Sequence, residues 1–267
     1  MNTLADMIDE LPFWSAPFGL KLLDFIHYKP NISAIDIGCG AGFPLTEIAM
    51  RLGETAVVYG IDPWSELTER ARRKMEYYGL NNVKIIEGMA ESIPLPDHSI
   101  DLITSNNGIN NVADINKVLE ECSRVIRDGG QFIQTMNTDR TMFEFYDTLK
   151  DVLFKRRLFA EIESVNRHIA LKRPAIERIT AKMQETGFIV KDLEYDQFNF
   201  RFTNGTAMFN HFLIRFAFMD SWTSLLPEDR AGEIFDSVEQ ALNKQAELLG
   251  VLTLSIPYVL INAIKRE

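Results

Sequence analysis

Hydrophobic and polar positions follow two alternating patterns over residues 33–136. Apolar runs of strand length lie at 33–37, 56–61, 83–87, 100–105 and 131–136. Between them, apolar residues recur at helical spacing, as in the segment after Asp114 that ends at 128–130. Strands that alternate with helices over short connections form a parallel sheet covered on both faces, and right-handed crossovers restrict its topology. The pattern therefore predicts an α/β fold with a doubly wound, Rossmann-like sheet.

The second half of the chain is less regular. Its spacing predicts short helical pieces before residue 29, one helix over 141–173 that stops at Pro174, and another over 175–186. Strands are expected at 188–193, 197–202 and 251–265, and helices with a kink near Pro227 over 206–250. We therefore expect an N-terminal helical lid (1–29), a ligand-binding core (30–137), a helical cover (138–186) and last strands with a helical insertion in the same domain (187–267).

Composition narrows the class of protein. The chain has 267 residues, 46% of them hydrophobic and 25% charged, which is typical of a globular protein. A net charge of −10 argues against a nucleic-acid partner. Two cysteines provide neither a disulfide framework nor a zinc site, so no metal is expected. The acidic start (Asp6, Asp9, Glu10) and the lack of a long apolar run predict a cytoplasmic protein without a membrane span.

The first strand leads into a glycine-rich loop. Asp36 comes just before it, and glycines follow at 38, 40 and 42. A loop of this kind brings backbone N–H groups and a helix N-terminus towards a ligand. Asp62 lies where an acid binds a ribose hydroxyl, in a dinucleotide or in S-adenosylmethionine. Phe43 replaces the third glycine of the dinucleotide fingerprint, and Asp36 would repel a pyrophosphate but attract an ammonium and a sulfonium.

Four ordered segments carry a family resemblance: 34–42 (AIDIGCGAG), 58–62 (VYGID), 91–101 (ESIPLPDHSID) and 125–130 (VIRDGG). Over about residues 30–137 the chain resembles class I S-adenosylmethionine-dependent methyltransferases, most closely the small-molecule type of ubiquinone and menaquinone biosynthesis. The implied fold is a Rossmann-like methyltransferase sheet of parallel strands with a C-terminal antiparallel strand, under a cover of added helices. The implied cofactor is S-adenosyl-L-methionine, with S-adenosyl-L-homocysteine as the product.

The resemblance also implies which residues bind the cofactor: Asp36, Gly38, Cys39, Gly40, Gly42, Asp62, Pro63, Trp64, Met89, Ala90, Glu91 and Asn106. The glycines and Asn106 would face the methionine part, Asp36 its ammonium and Asp62 the ribose. Residues 63–64 would flank the adenine and residues 89–90 would meet its edge. The chain departs from the family at Met89, where an aspartate often accepts from the adenine amino group; Glu91 or backbone groups would substitute. The alternatives are a tight turn for the glycines and ordinary packing for Trp64.

The acceptor would lie beyond the carboxyl ends of the strands. Candidates come from the Asn-rich loop after the fourth strand and from the aromatic residues: Trp14, Phe18, Asn107, Tyr146, Phe200 and Phe216. Core packing is the alternative for each aromatic ring. Basic residues concentrate between Lys155 and Arg173. They form either a solvated helix face or a site for a carboxylate or phosphate of the acceptor.

These observations favour an enzyme that transfers a methyl group from S-adenosylmethionine to a small, partly apolar molecule. No general base stands out; His168, His211, Tyr146 and Tyr195 are candidates, and no catalytic residue is assigned. The alternative is a non-catalytic protein that holds S-adenosylmethionine or S-adenosylhomocysteine on the same fold. A nicotinamide-dependent dehydrogenase ranks third, and binding of NADH would support it.

Overall fold

A computed structural model describes residues 12–267, with the backbone alone for residues 12–13. Residues 1–11 of the predicted lid, including Asp6, Asp9 and Glu10, lie outside the described residues. In the described part, seven strands form one sheet in the order β3-β2-β1-β4-β5-β7-β6. The strands are β1 (Ser33–Ile37), β2 (Val57–Asp62), β3 (Val83–Glu87), β4 (Ile100–Asn106), β5 (Ile126–Asn137), β6 (Phe188–Phe202) and β7 (Leu252–Lys265).

The pairing directions confirm the predicted fold class. Strands β1 to β5 pair in parallel, and β7 pairs antiparallel with β5, with Gln131 opposite Ile264. The helices before β6 are α1 (Pro12–Asp24), α2 (Leu45–Leu52), α3 (Ser65–Tyr78), α4 (Ile115–Val125), α5 (Phe143–Lys155), α6 (Phe159–Lys172) and α7 (Ile176–Glu185). Those between β6 and β7 are α8 (Gly205–Asn210), α9 (Phe212–Ala217), α10 (Met219–Thr223) and α11 (Ala231–Leu249).

Two buried clusters pack on opposite faces of the sheet. Successive strand residues point to opposite faces, so Ile35 and Phe132 join one cluster, whereas Ala34 and Ile133 join the other. Helices α4 and α7 contribute to the first cluster, and α1 and α2 to the second. The sheet is therefore covered on both faces, which explains why β1 is apolar along most of its length.

Local sequence signals position the helices around the sheet. The side chain of Asp114 accepts from the backbone N–H groups of Asn116 and Lys117, and this N-cap starts α4 where the sequence predicts it. Gly79 has a φ of 68° and ends α3 in the left-handed conformation, which glycine adopts without strain.

The contacts divide the chain into two compact units. The sheet unit comprises residues 12–137, Ala175–Asp196 and Tyr258–Glu267, and the helical unit comprises Thr138–Pro174 and Gln197–Pro257. Helices α5 and α6 belong to the helical unit, whereas α7 packs its Ile176, Ile179 and Met183 into the sheet unit. The predicted arrangement as a single domain stays a prediction.

The structure corrects four predicted boundaries. The helix expected over 141–173 is two helices, because Arg157 has a φ of 60° and breaks it. The strand expected at 131–136 begins at Ile126 and includes the glycines at 129–130, beside a register irregularity with β4. The strands expected at 188–193 and 197–202 are one strand, β6, and α1 continues through Pro17 as a single helix.

Candidate functional site

A cavity of about 430 Å³ opens beside the carboxyl ends of the parallel strands. It lies where the strand order reverses, between β1 and β4, and ligands of open α/β sheets bind at such a point. Its volume suits a small-molecule ligand. The lining comprises Ile37, Gly38, Gly40, Ile61, Asp62, Pro63, Trp64, Leu67, Gly88, Met89, Ala90, Glu91, Asn106, Asn107, Gly108, Asn111 and Val112.

The glycine loop brings two backbone segments into close contact. A Cβ on Gly38 would lie 2.9 Å from Cα of Gly108, and one on Gly108 would lie 2.4 Å from the carbonyl oxygen of Ile37. The backbone N–H groups of Gly38 and Cys39 both donate to the carbonyl of Ile61. The expectation that loop N–H groups point at a ligand is therefore not met at these two residues. The glycines instead provide the close approach of the loops after β1 and β4.

Asp62 at the end of β2 connects this loop with the start of α3. Its Oδ2 accepts from the backbone N–H of Gly40 at 3.0 Å, and its Oδ1 accepts from that of Trp64 at 2.9 Å. Burial raises the pKa of Asp62, and these two hydrogen bonds oppose the rise. Each carboxylate oxygen retains a lone pair, so the oriented side chain can accept two further hydrogen bonds from a ligand in the cavity.

Asp36 lies in β1, just before the loop, and is almost fully buried. Its Oδ1 accepts from the hydroxyl of Thr104 at 2.7 Å, whereas its Oδ2 has no hydrogen-bond partner among the described residues. Burial raises the pKa of Asp36 to about 7; the charge of Asp62 adds to the rise and the bond from Thr104 opposes it. A buried carboxylate oxygen without a partner is costly, and a cationic ligand group would relieve that cost.

The loop after β4 is held by a network of amide side chains. Asn106 accepts from the hydroxyl of Thr135 and donates to the carbonyl of Ser15 in α1. Asn107 has a φ of 56°, and its Oδ1 accepts from the side chain of Asn110 and from the backbone N–H of residue 137. The oxygen of Asn107 is thus occupied, which leaves its amide N–H groups for a ligand in the cavity.

The far end of the cavity is formed by residues after β2 and β3. Trp64 and Met89 are 38% and 49% exposed, so both present apolar surface without a full set of packing partners. Glu91 accepts from the backbone N–H groups of Ala113 and Asp114 through Oε1, while its Oε2 is buried without a partner among the described residues. The carboxylate that the sequence offers in place of the family's aspartate is therefore available at this wall.

Most of the predicted cofactor residues line this one cavity: Gly38, Gly40, Asp62, Pro63, Trp64, Met89, Ala90, Glu91 and Asn106. Asp36, Cys39 and Gly42 do not line it. Cys39 is buried against β2, where a Cβ on Gly60 would lie 2.9 Å from its Sγ, and burial raises the pKa of its thiol. Gly42 has a φ of 103° and packs against Thr46 and Ala71.

Asn107 is the one acceptor candidate that lines this cavity. Phe18 is fully buried and packs edge-on against Trp14 and Tyr258 in the sheet unit. Tyr146, Phe200 and Phe216 belong to the helical unit; Tyr146 is buried there, and Phe216 stacks on Phe212. The acceptor roles of these residues stay predictions.

Sequence reasoning placed Gly108 and Asn111 in the loop on the reaction side of the sheet, and both line the cavity. It missed Leu67 and Val112, which also line it. Val112 follows that loop directly, whereas Leu67 occupies an ordinary apolar position of α3, with its Cδ1 3.9 Å from where a Cβ on Gly40 would lie.

The comparisons with known proteins agree with this geometry. A family model described as "Methyltransferase domain" matches residues 28–201. Demethylmenaquinone methyltransferase of Geobacillus kaustophilus is 30% identical over 175 residues, which cover 62% of this chain and 74% of that protein. The YcgJ protein of Bacillus subtilis shares the fold with a TM-score of 0.61 at 20% identity, over 94% of this chain and 99% of that one.

A solved SAM-dependent methyltransferase of Aquifex aeolicus also shares the fold, with a TM-score of 0.54 at 21% identity over 72% of this chain and 92% of that one. The sheet order, the glycine loop and the acid after β2 define the class I methyltransferase fold. The chain belongs to the methyltransferase-domain family, because that model covers more than half of it. The prediction of a class I S-adenosylmethionine-dependent methyltransferase is confirmed.

The described residues lack two features, a membrane-spanning helix and a cluster of metal ligands. From residue 12 onwards, no helix combines the length and apolarity that a membrane span requires. No group of three or more potential His, Cys, Asp or Glu ligands for a metal ion occurs in the same part of the chain.

Proposed function

We propose that the cavity of the sheet unit binds S-adenosylmethionine and that the enzyme methylates a small, partly apolar acceptor. The observation that carries the proposal is that Gly38, Gly40 and the oriented carboxylate of Asp62 line the same cavity. Gly38 and Gly40 carry no side chain that would keep a zwitterionic tail away from the backbone. The free lone pairs of Asp62 can accept from the hydroxyl groups of a ribose.

The donors and acceptors of the cavity fit such a ligand from end to end. Asp62 would accept from the ribose hydroxyls through the lone pairs that remain on its two oxygens, which the backbone N–H groups of Gly40 and Trp64 hold in place. Trp64 and Met89 offer exposed apolar surface for a planar base. Glu91 would accept from the adenine amino group through Oε2, which has no partner among the described residues. Asn106 would stand at the methionine end.

The charge of the site suits a cation better than an anion. Burial is the main cause of the raised pKa of Asp36, and the charge of Asp62 adds to it, so a ligand with an ammonium and a sulfonium would stabilise the ionised carboxylates. A pyrophosphate would add negative charge beside them. The charge of the cavity therefore favours S-adenosylmethionine over a dinucleotide.

When bound, S-adenosylmethionine supplies an electrophilic methyl group on its sulfonium. The residues of this chain would contribute by holding the donor in one orientation and by excluding water, since no Cys, Ser, Thr, His or Lys side chain among the described residues lines the cavity. Both cysteines are buried, and burial raises the pKa of each thiol, so neither is suited to attack. A general base would be needed only for an acceptor that stays protonated at neutral pH.

The similarity to demethylmenaquinone methyltransferases suggests the acceptors to try first. Those proteins are named for an aromatic acceptor, so quinols and phenols head the screen. The expected absence of a nucleic-acid partner and the cytoplasmic location stay predictions. No observation favours the alternative of a non-catalytic binding protein on this fold.

Calorimetric titration with S-adenosylhomocysteine tests the proposal, with NADH as the comparison ligand. We expect one site of micromolar affinity for S-adenosylhomocysteine and no binding of NADH. Asp62→Ala should weaken binding roughly 5- to 150-fold, because two charge-assisted hydrogen bonds to the ribose are lost.

Asp236→Ala is the matched control, since Asp236 is an exposed residue of α11 in the helical unit and should leave the affinity unchanged. Equal affinity in the wild type and Asp62→Ala would refute the placement of the ribose. Binding of NADH instead would refute the proposed cofactor.

A further inference from the structure

The helical unit contains a buried guanidinium that the methyl-transfer site does not use. Arg173 follows the last residue of α6, directly before Pro174, and is only 6% exposed. In the sequence, Arg173 belongs to the group of basic residues between Lys155 and Arg173. One interpretation of that group is a helix face exposed to solvent. That interpretation is wrong for Arg173, because its side chain lies inside the unit rather than in solvent.

The hydrogen bonds of this guanidinium are incomplete. Its Nε and Nη1 atoms are buried and have no hydrogen-bond partner among the described residues. An arginine side chain has five N–H groups, of which Nε carries one and Nη1 carries two, so three are left without an acceptor. The guanidinium carbon lies 5.5 Å from the centroid of the Tyr146 ring, which provides a cation–π contact. This contact supplies no acceptor for the N–H groups, which point outward in the plane of the guanidinium.

Arginine cannot relieve this situation by losing its proton. A guanidinium stays charged in proteins at every accessible pH. Burying a charge without a partner is costly, which is why buried charges are usually paired. No ion pair to Arg173 forms within residues 12–267. An anion would supply both the opposite charge and the hydrogen-bond acceptors that Arg173 lacks.

Two more uncommitted polar groups stand beside Arg173. The hydroxyl of Tyr146 accepts from the indole N–H of Trp222 at 3.0 Å and donates to no other described residue. His168 on α6 is half-buried, with its ring centroid 6.2 Å from that of Tyr146. Burial, followed by the charges of Arg173 and Lys172, lowers the pKa of His168. The unopposed positive charge of Arg173 thus reaches its neighbours.

We propose that Arg173 and Tyr146, with His168 beside them, form a binding site for the oxyanion of a small organic molecule, a carboxylate or a phosphate. Unpartnered N–H groups of Arg173 and the hydroxyl of Tyr146 would donate to its oxygens, and the rings of Phe145 and Trp222, whose centroids are 3.7 Å apart, would adjoin an apolar body. The site consists of residues of the helical unit alone, so the proposal does not depend on the cofactor site.

Thermal unfolding with added anions tests the proposal. The probes are benzoate for an aromatic carboxylate and inorganic phosphate, each compared with chloride at equal ionic strength, which corrects for general screening. At about tenfold excess over Kd, at least one probe should raise Tm by roughly 3 to 6 °C in the wild type. Arg173→Met should abolish this rise, and Arg167→Met, which replaces an exposed arginine on the same helix, should retain it.

If Arg173→Met fails to fold, the fluorescence emission of Trp222 provides a second test of anion binding. The chain has three tryptophans, so Trp14→Phe with Trp64→Phe leaves Trp222 as the only one, hydrogen-bonded to Tyr146. Benzoate or phosphate should then change the emission of Trp222 with a saturable dependence on concentration, and Tyr146→Phe should weaken that binding several-fold.

A preference for benzoate would identify the ligand as a carboxylate, and a preference for phosphate as a phosphate ester. The proposal is overturned if neither probe shifts Tm or Trp222 emission beyond the chloride control, or if Arg173→Met responds like the wild type. Neither outcome bears on whether the protein binds S-adenosylhomocysteine, so the two proposals can be refuted independently of each other.

Discussion

Asp36 in the sheet unit and Arg173 in the helical unit are buried ionisable side chains with unused hydrogen-bonding capacity, and the two groups differ in how they can respond. Asp36 leaves one carboxylate oxygen without a partner, and Arg173 leaves the N–H groups of two nitrogens. Asp36 can become neutral by binding a proton, and burial raises its pKa to about 7. Arg173 has no such option, because a guanidinium keeps its charge.

Because of this difference, ligand binding near Asp36 and ligand binding near Arg173 should depend on different solution conditions. The protonation state of Asp36 changes near neutral pH, so a cationic ligand group beside it must displace a proton. Arg173 needs an anion at every pH, so a ligand at that site should act through its concentration alone. We expect the sheet unit to be sensitive to pH and the helical unit to be sensitive to anions.

The largest expected effect concerns stability against pH. The pKa of Asp36 is 3.8 when unperturbed and about 7 in the folded chain, so the folded state favours the protonated form. Its contribution to the free energy of unfolding is complete below pH 3.8 and is lost as the pH rises through 7, on the order of 4 kcal/mol in total. The difference between wild type and Asp36→Asn, measured by urea unfolding, should follow this window.

A difference that stays constant between about pH 4 and about pH 8 would show that Asp36 is ionised in the folded chain throughout. Asp101→Asn is the control variant. Asp101 accepts from Arg127 and from the backbone N–H of Ser33, so this variant measures the general cost of replacing a hydrogen-bonded aspartate by asparagine.

The second effect concerns Arg173 without added anion. Arg173→Met should raise the free energy of unfolding by about 1–3 kcal/mol, since an apolar side chain of similar length replaces a buried charge without a partner. Chemical unfolding in a buffer free of carboxylate and phosphate measures it. A loss of stability of similar size would show instead that the guanidinium is well paired, and the contrast with Asp36 would disappear.

The smallest effect comes from the hydroxyl that contacts Asp36. Thr104 donates to Oδ1 of Asp36 at 2.7 Å and thereby lowers the pKa of that carboxyl. Thr104→Val removes the donor at nearly constant volume, so the pH window of Asp36 should move upward by about one unit or less. Urea unfolding across pH detects the displacement, and a window that moves downward would assign Thr104 the opposite role.

The sequence predicts the sheet unit better than the helical unit, for a physical reason. Strands β1 and β3 begin and end at the predicted residues, because each is a short apolar run bounded by turn residues. In the helical unit, a left-handed Arg157 divides a segment whose apolar spacing suits one continuous helix. Tertiary packing determines where this segment divides into two helices, and the local sequence pattern carries no signal for the division.

The candidate site shows the same limit at the level of single residues. The family resemblance placed Asp62, Trp64 and Met89 around one cofactor, and all three line one cavity, because they lie at or just after the carboxyl ends of β2 and β3. It placed Cys39 there as well, although the thiol packs beneath the loop against Gly60. Nothing in the sequence distinguishes Arg173 from the exposed basic residues near it, since burial of a charge depends on packing between distant segments.

The most direct test of the cofactor site is titration of the protein with S-adenosylhomocysteine at about pH 6 and about pH 8, in two buffers of different ionisation enthalpy. If the ammonium of the ligand lies near Asp36, affinity should be about tenfold higher at the higher pH, with release of nearly one proton at the lower pH. Asp36→Asn should bind more weakly and without this pH dependence. Equal, pH-independent affinity in both proteins, or no binding in either, would contradict the account.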